Sequence, residues 1–235
     1  MKRLLIVRHG QSIWNQESKF TGWTNIPLNR YGKIEALNMA KMLNYYKLEP
    51  NIIYTSIMHR AVDTSHIINS ELKNKAIIKN DWRLNEKHYG TLEGVERAFI
   101  RTQFGEEYTK RMRADFTMMP PLIDNKPHNN YNIVNMCKEA STYFDKIQNG
   151  ECKKDVYNRA VPFYLEKIVP IVENNFPLIV THKHTARVLM KYLLDINDKD
   201  FEKYNLPENK VLYLELDDNM KEKDSKLLDY KNYNL

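Results

Sequence analysis

Short apolar runs that stop abruptly on polar side chains recur along this chain, and between them lie stretches whose apolar positions follow a helical period. The first run, Leu-Leu-Ile-Val at 4–7, has the make-up of a strand buried on both faces and breaks into Arg8-His9-Gly10. A loop follows over 11–29, rich in Gly, Thr, Asn and Trp and too long for a simple turn, a length typical of functional loops. Asn29 is the N-cap expected for a helix over 33–43, where Ile34, Leu37, Ala40 and Leu43 repeat at helical spacing, and Pro50 ends that segment. Ile52-Ile53-Tyr54 predicts a second buried strand closing on Thr55-Ser56, 58–72 a helix that carries Arg60, and 76–78 a third strand.

The density of polar and aromatic groups over 81–94, with Trp82, Arg83, Glu86, His88 and Tyr89, would not be tolerated in a core and predicts a site loop. A helix is expected over 95–113, then a Met-Pro-Pro turn and a polar region over 124–150 that is a candidate lid insertion. The pattern over 155–172 is helical despite Pro162 and Pro170, each of which removes a backbone donor. A fourth strand at 177–180 ends on Thr181-His182, repeating the design of the first. A helix over 184–194, a fifth strand at 211–216 and a charged, mobile tail from Asp217 complete the reading. Strands alternating with helices at this spacing predict an α/β fold with parallel pairing and right-handed crossovers.

At 235 residues and 42% apolar, the chain has ample material for a core. Its formal charge of +6 favours anionic partners, but 36 basic residues are interspersed with 30 acidic ones. That pattern reads as a solvated surface, so no nucleic-acid partner is expected. Cys137 and Cys152 show neither zinc-site nor disulfide-framework spacing, and no apolar run approaches the ~18 residues of a membrane span. A reduced, cytoplasmic setting without membrane contact is therefore expected, with no signal or transit peptide ahead of the first strand.

The chemistry lies in what the strand ends have in common. His9 and His182 each follow a buried strand, a third strand leads into the helix of Arg60, and a polar loop supplies Glu86. Carboxyl ends of strands are where open α/β sheets bind ligands, and two imidazoles, guanidiniums and a carboxylate together suit phosphoryl transfer, which needs cations fixed around the peripheral oxygens. Neutral imidazole attacks phosphorus near pH 7 and remains a good leaving group, and Glu86 would exchange the proton of the departing and arriving oxygen. No Asp cluster suited to magnesium is apparent, so no metal is expected. Taken singly, His182 also reads as a core histidine, Arg60 as a helix-surface ion pair and Glu86 as a solvated loop carboxylate.

The pieces L-I-V-R-H-G-Q-S-I-W-N at 5–15, F-T-G-W-T at 20–24, Y-T-S then R-A within 54–61, W-R-L-N-E-K-H-Y-G at 82–90 and G-E-E at 105–107 resemble, in this order, the cofactor-dependent phosphoglycerate mutases of the histidine phosphatase superfamily. The resemblance implies a mixed, mostly parallel sheet flanked by helices on both faces, forming one catalytic domain over 1–216 with 217–235 as a tail. It implies that His9 is the phosphorylated nucleophile, Glu86 the proton donor and acceptor, and His182 the second imidazole on the phosphoryl group, with Arg8, Asn15 and Arg60 completing the phosphate pocket. Thr21, Gly22, Tyr89, Arg97 and Arg113 would grip the rest of a small phosphorylated substrate; Lys183, where this chain departs from the family pattern, would instead add a cation at a different height. The reaction implied is interconversion of 2-phosphoglycerate and 3-phosphoglycerate, primed by 2,3-bisphosphoglycerate, in a homodimer or homotetramer.

The chain departs from the family pattern at Lys183-His184-Thr185, where Gly-Asn-Ser is usual, at Ala114, where a second Arg is usual, and at Gln11, Lys87 and Cys152. The alternatives are a histidine phosphatase of small phosphorylated metabolites and a non-catalytic phospholigand-binding scaffold.

Overall fold

The computed structural model describes residues 1–121, 137–147 and 149–229. Its centre is strand β1 (Lys2–Arg8), whose residues 4–8 are all buried, as the unbroken apolar run requires. The short helix α1 (Ile13–Gln16) follows within the expected loop. Helix α2 (Arg30–Tyr45) begins where Asn29 accepts a hydrogen bond from the Gly32 N–H, the expected cap. Then come β2 (Ile52–Thr55), α3 (His59–Glu71), β3 (Ile77–Asn80), α4 (Arg97–Ala114), α5 (Lys138–Lys146), α6 (Lys153–Phe163), β4 (Pro177–Thr181), α7 (Lys183–Leu193), β5 (Lys210–Leu216) and β6 (Glu222–Asp229).

The six strands form one sheet in the order β3-β2-β4-β1-β5-β6. Strands β1 to β4 run parallel, while β5 pairs antiparallel with β1 and β6 antiparallel with β5. Side chains alternate between two cores. Leu4, Ile6, Tyr54 and Ile179 pack against α6 and α7, and Leu5, Val7, Ile53 and Val180 against α2 and α3. Each fully buried Leu or Ile contributes roughly 1.5–3 kcal/mol.

Two expectations need correction. The described part of the expected mobile tail is ordered: residues 222–229 form edge strand β6 in register with β5. Only Leu228 of that strand is buried, so backbone pairing rather than an apolar pattern holds it, and its Lys, Glu and Asp side chains blunt the exposed edge. The helix over 155–172 is likewise not continuous. It passes through Pro162 but widens into one π turn at Tyr164–Ile168, with the Val169 N–H bonded to Tyr164 O at 3.1 Å, and Pro170, lacking a donor, follows.

Of the candidate lid, 124–136 and 148 lie outside the described residues. Helix α5 lies within it and packs Tyr143 and Phe144 onto Trp23, with ring centroids 6.4 and 5.7 Å apart. Among the described residues no helix is long and apolar enough to cross a membrane.

Candidate active site

Sheet register builds the site. Parallel pairing sets Arg8 beside Thr181, so the chain leaves β1 and β4 at the same level, and His9 and His182 emerge as neighbours with ring centroids 4.8 Å apart. Gly10 lets β1 turn away here: a Cβ on it would stand 2.1 Å from the Gly32 carbonyl oxygen of α2.

His9 is 4% exposed, and its Nδ1 lies 2.6 Å from the Gly10 carbonyl oxygen. A carbonyl only accepts, so Nδ1 carries the proton and Nε2 keeps its lone pair. Burial, then the charges of Arg60 and Arg8, push the pKa of His9 well below its usual value, so the ring is neutral at physiological pH. His182 is fully buried and pairs its Nε2 with Ser56 Oγ at 2.8 Å, while its Nδ1 has no partner. Burial, Arg60 and His9 lower its pKa in the same way.

Arg60, 1% exposed on α3, donates from its two terminal nitrogens to Thr24 O and Gly22 O at 3.0 and 2.7 Å. Its Nε is unpartnered, and although burial lowers its pKa to about 10 it remains a cation. Arg8 pairs with Glu208 at 2.6 Å and also keeps a buried, unpartnered Nε. Gly22 holds φ +54, and a Cβ there would meet the Glu93 carboxylate at 1.9 Å.

The loop over 81–94 is gripped from several sides. The Arg159 guanidinium of α6 donates to the carbonyls of Arg83, Asn85 and Glu86 and forms a two-pronged pair with Glu151, at 2.8 and 2.9 Å. Trp23 Nε1 adds a bond to Glu86 O at 2.6 Å, and the Thr185 hydroxyl one to Asn85 O at 2.5 Å. Glu93 closes the other end, accepting from the backbone amides of Trp23, Thr24 and Tyr89.

So held, Glu86 turns its carboxyl to the site, where Oε1 accepts from the backbone amides of Lys87 at 2.8 Å and His184 at 3.2 Å. Burial opposes ionisation, but His184, His182 and the Lys87 amide outweigh it and hold the carboxyl well below the usual range. His184 itself is pushed down to about 4 by burial, so the pair at neutral pH is a carboxylate beside a neutral imidazole.

These groups surround a cavity of about 470 Å³. Of the residues singled out from sequence, Arg8, His9, Asn15, Arg60, Glu86 and Lys183 line it, as do Thr21, Gly22, Tyr89 and Arg97. His182 is fully buried, its ring edge-on to that of His9 and its Nδ1 without a partner, and the side chain of Arg113, on α4, lies outside the described residues. Lys87, His184, Arg187, Glu202 and Asn205 also line the cavity, though none of them was read as a site residue from sequence. Arg187 had a readable signal, one turn after the Lys183-His184 strand exit on the same helix, whereas Glu202 and Asn205 arrive on a loop with no motif. Six cationic side chains and two carboxylates share the wall, and together with the unpartnered nitrogens of Arg8, Arg60 and His182 they suit a multiply charged oxyanion. Among the described residues no group of three His, Cys, Asp or Glu side chains is placed to hold a metal ion.

A buried, tautomer-fixed histidine at a strand end, a second imidazole against it and a carboxyl across a cationic cavity define a protein class that sequence comparison also finds: the chain belongs to the histidine phosphatase superfamily, branch 1, whose profile matches residues 4–129 and 126–226. Within it, the chain is 34% identical over 218 residues to a Corynebacterium diphtheriae protein named 2,3-bisphosphoglycerate-dependent phosphoglycerate mutase, covering 92% of this chain and 86% of that one. A Corynebacterium jeikeium protein of the same name is 36% identical over 216 residues, 91% and 84% of the two chains. Among solved structures, one named mycobacterial hydrolase 1 superposes with TM-score 0.74 at 21% identity over 96% of both chains. A mycobacterial glucosyl-3-phosphoglycerate phosphatase in complex with VO3 gives 0.72 at 22%, over 97% of both. At that identity the superpositions establish the shared fold alone.

Proposed function

We propose that this protein interconverts 2-phosphoglycerate and 3-phosphoglycerate through a phosphohistidine at His9, primed by 2,3-bisphosphoglycerate. The observation that carries the reading is the state of His9: neutral, its Nδ1–H pinned to the Gly10 carbonyl and its Nε2 free, in a cavity rich in cations and facing Glu86. The names of the mutase relatives, at 34–36% identity over nine-tenths of the chain, supply the substrate.

The unpartnered Nε atoms of Arg8 and Arg60, the Nδ1 of His182 and the Thr21 hydroxyl fit the primer, which supplies the first phosphoryl group. In the proposed mechanism His9 Nε2 attacks phosphorus, and Arg8, Arg60, Asn15 and His182 hold the peripheral oxygens, where charge is stabilised by groups already in place. Glu86, ionised in the resting site, takes up a proton as the phosphate dianion approaches, because a nearby negative charge raises a carboxyl pKa. It hands that proton to the departing oxygen and recovers one from the hydroxyl that later attacks phosphohistidine. Thr21, Gly22, Tyr89, Arg97 and Lys183 orient the glycerate so that either of its oxygens can reach the phosphorus.

The test is to incubate the protein with 2,3-bisphosphoglycerate and trap an acid-labile phosphoprotein. Wild type should yield one phosphoryl group per chain and His9→Ala none, with both proteins melting at similar temperature. Equal labelling of the two would overturn the assignment of His9.

A further inference from the structure

Three imidazoles meet at this site, and the mechanism above uses two. The third, His184, is the second residue of α7 and lines the cavity. Its Nδ1 lies 3.4 Å from Glu86 Oε1 and 3.2 Å from the Tyr89 hydroxyl, and its backbone N–H donates to the same Glu86 oxygen at 3.2 Å. The Tyr89 ring stands nearly perpendicular to it, centroids 5.8 Å apart, which fixes the plane of the imidazole. One residue thus touches the reacting carboxyl with both its main chain and its side chain.

We propose that His184 is the positioning and proton-relay partner of Glu86, sharing through Nδ1 the proton that Glu86 takes from the substrate hydroxyl. The inference rests on Glu86 being the acid and base of a phosphohistidine mutase. In the acceptor half-reaction the hydroxyl oxygen bonds to phosphorus as the His9 Nε2–P bond breaks, its electron pair remaining on Nε2. The hydroxyl proton passes to the Glu86 carboxylate and is shared with His184 Nδ1. In the donor half-reaction the P–O bond breaks, the proton returns through Glu86 to the departing oxygen, and Nε2 bonds to phosphorus again.

With the ring proton on Nε2, Nδ1 carries one lone pair, and the Tyr89 hydroxyl and a protonated Glu86 carboxyl are the two groups placed to donate to it. Burial pushes His184 down to about 4, and with 3.4 Å between its Nδ1 and Glu86 Oε1 the two titrate as a unit. The charged and titratable groups around that unit are Lys87 and Tyr89 from the site loop, Lys183 and Arg187 on α7 itself, His182 after β4, Arg8 of β1 and His9 after it, Arg60 of α3, Arg97 of α4, Arg159 of α6, and Glu202 across the cavity.

The experiment compares wild type, His184→Asn and His184→Gln in primer-dependent formation of 2-phosphoglycerate from 3-phosphoglycerate over pH 5 to 9, with melting temperatures measured in parallel. Wild type is assayed first; no conversion there overturns the mutase reading, whatever His184 does. With wild type active, the variants are expected to lose about tenfold in kcat, a tenth or less of the full value of general acid-base catalysis, with KM for 3-phosphoglycerate within about twofold. The acid limb of kcat/KM should shift from its wild-type position, because Glu86 then titrates without its coupled partner, and added imidazole should restore part of kcat in a further variant, His184→Ala. Profiles that superpose on wild type, or a rise in KM alone with no response to imidazole, would overturn the relay.

Discussion

Burial favours the neutral form at two residues one cavity apart, with opposite outcomes. At His9 it removes the proton from Nε2 and makes a nucleophile, whereas at Glu86 it is outweighed by hydrogen bonds and imidazoles that keep the carboxyl ionised until substrate arrives. Glu86→Gln keeps the shape and removes the proton exchange. It should lower kcat by about 10² to 10⁴ with little change in KM, read in a coupled assay of 2-phosphoglycerate formation; a loss below tenfold would deny Glu86 its role. His9, Arg60, His182 and Glu86 were legible because each follows a break from apolar strand to polar side chain, or sits in a loop too polar to be core. His184 was legible only as a departure from the family pattern, and its bond to Glu86, 98 positions away, becomes visible when α7 and the site loop are folded together. Glu93 escaped sequence reading altogether, since two of the amides that donate to it, those of Trp23 and Thr24, lie 70 and 69 positions earlier.

Among the elements, the loop over 81–94 depends most on others for its shape. The pair Arg159 and Glu151 is almost wholly buried, and every prong is used: Arg159 on three carbonyls, Glu151 on the His88 amide and the Tyr143 hydroxyl. Removing one partner strands the other charge. Arg159→Leu should therefore destabilise the fold by roughly 3–5 kcal/mol in urea unfolding and displace Glu86 enough to reduce kcat, with Arg159→Lys recovering only part of both. A change within 1 kcal/mol would show the clamp to be dispensable. Strands β1, β2 and β4 announced themselves as apolar runs bounded by polar breaks, and α2 by its Asn29 cap. Strand β6 did not, because Glu-Lys-Asp-Ser-Lys carries no alternation and its pairing is written in backbone hydrogen bonds.

For the molecule as a whole, three buried neutral imidazoles at one site tie folding to pH. His9, His182 and His184 all have pKa values depressed below 6.5 in the folded state, so the unfolded chain binds more protons as pH falls through that value. Stability is therefore retained above pH 6.5 and lost progressively below it, toward about 4 for His184, with a limiting slope of about 4 kcal/mol per pH unit for three protons. Urea unfolding at pH 7.5, 6 and 5 checks this; a flat midpoint would contradict the neutral state of these rings. The parallel pairing of β1 to β4 was foreseeable from alternating strands and helices, and the mixed sheet from the family resemblance, but the insertion of β4 between β1 and β2, which brings His9 and His182 together, is a property of topology that no local pattern encodes. The most direct test of the account is phosphorus NMR of the purified protein with 3-phosphoglycerate, with and without trace 2,3-bisphosphoglycerate. The account predicts a 2-phosphoglycerate signal that grows only when primer is present and is absent in His9→Ala; growth of free phosphate in its place would contradict the mutase and leave a phosphatase on the same fold.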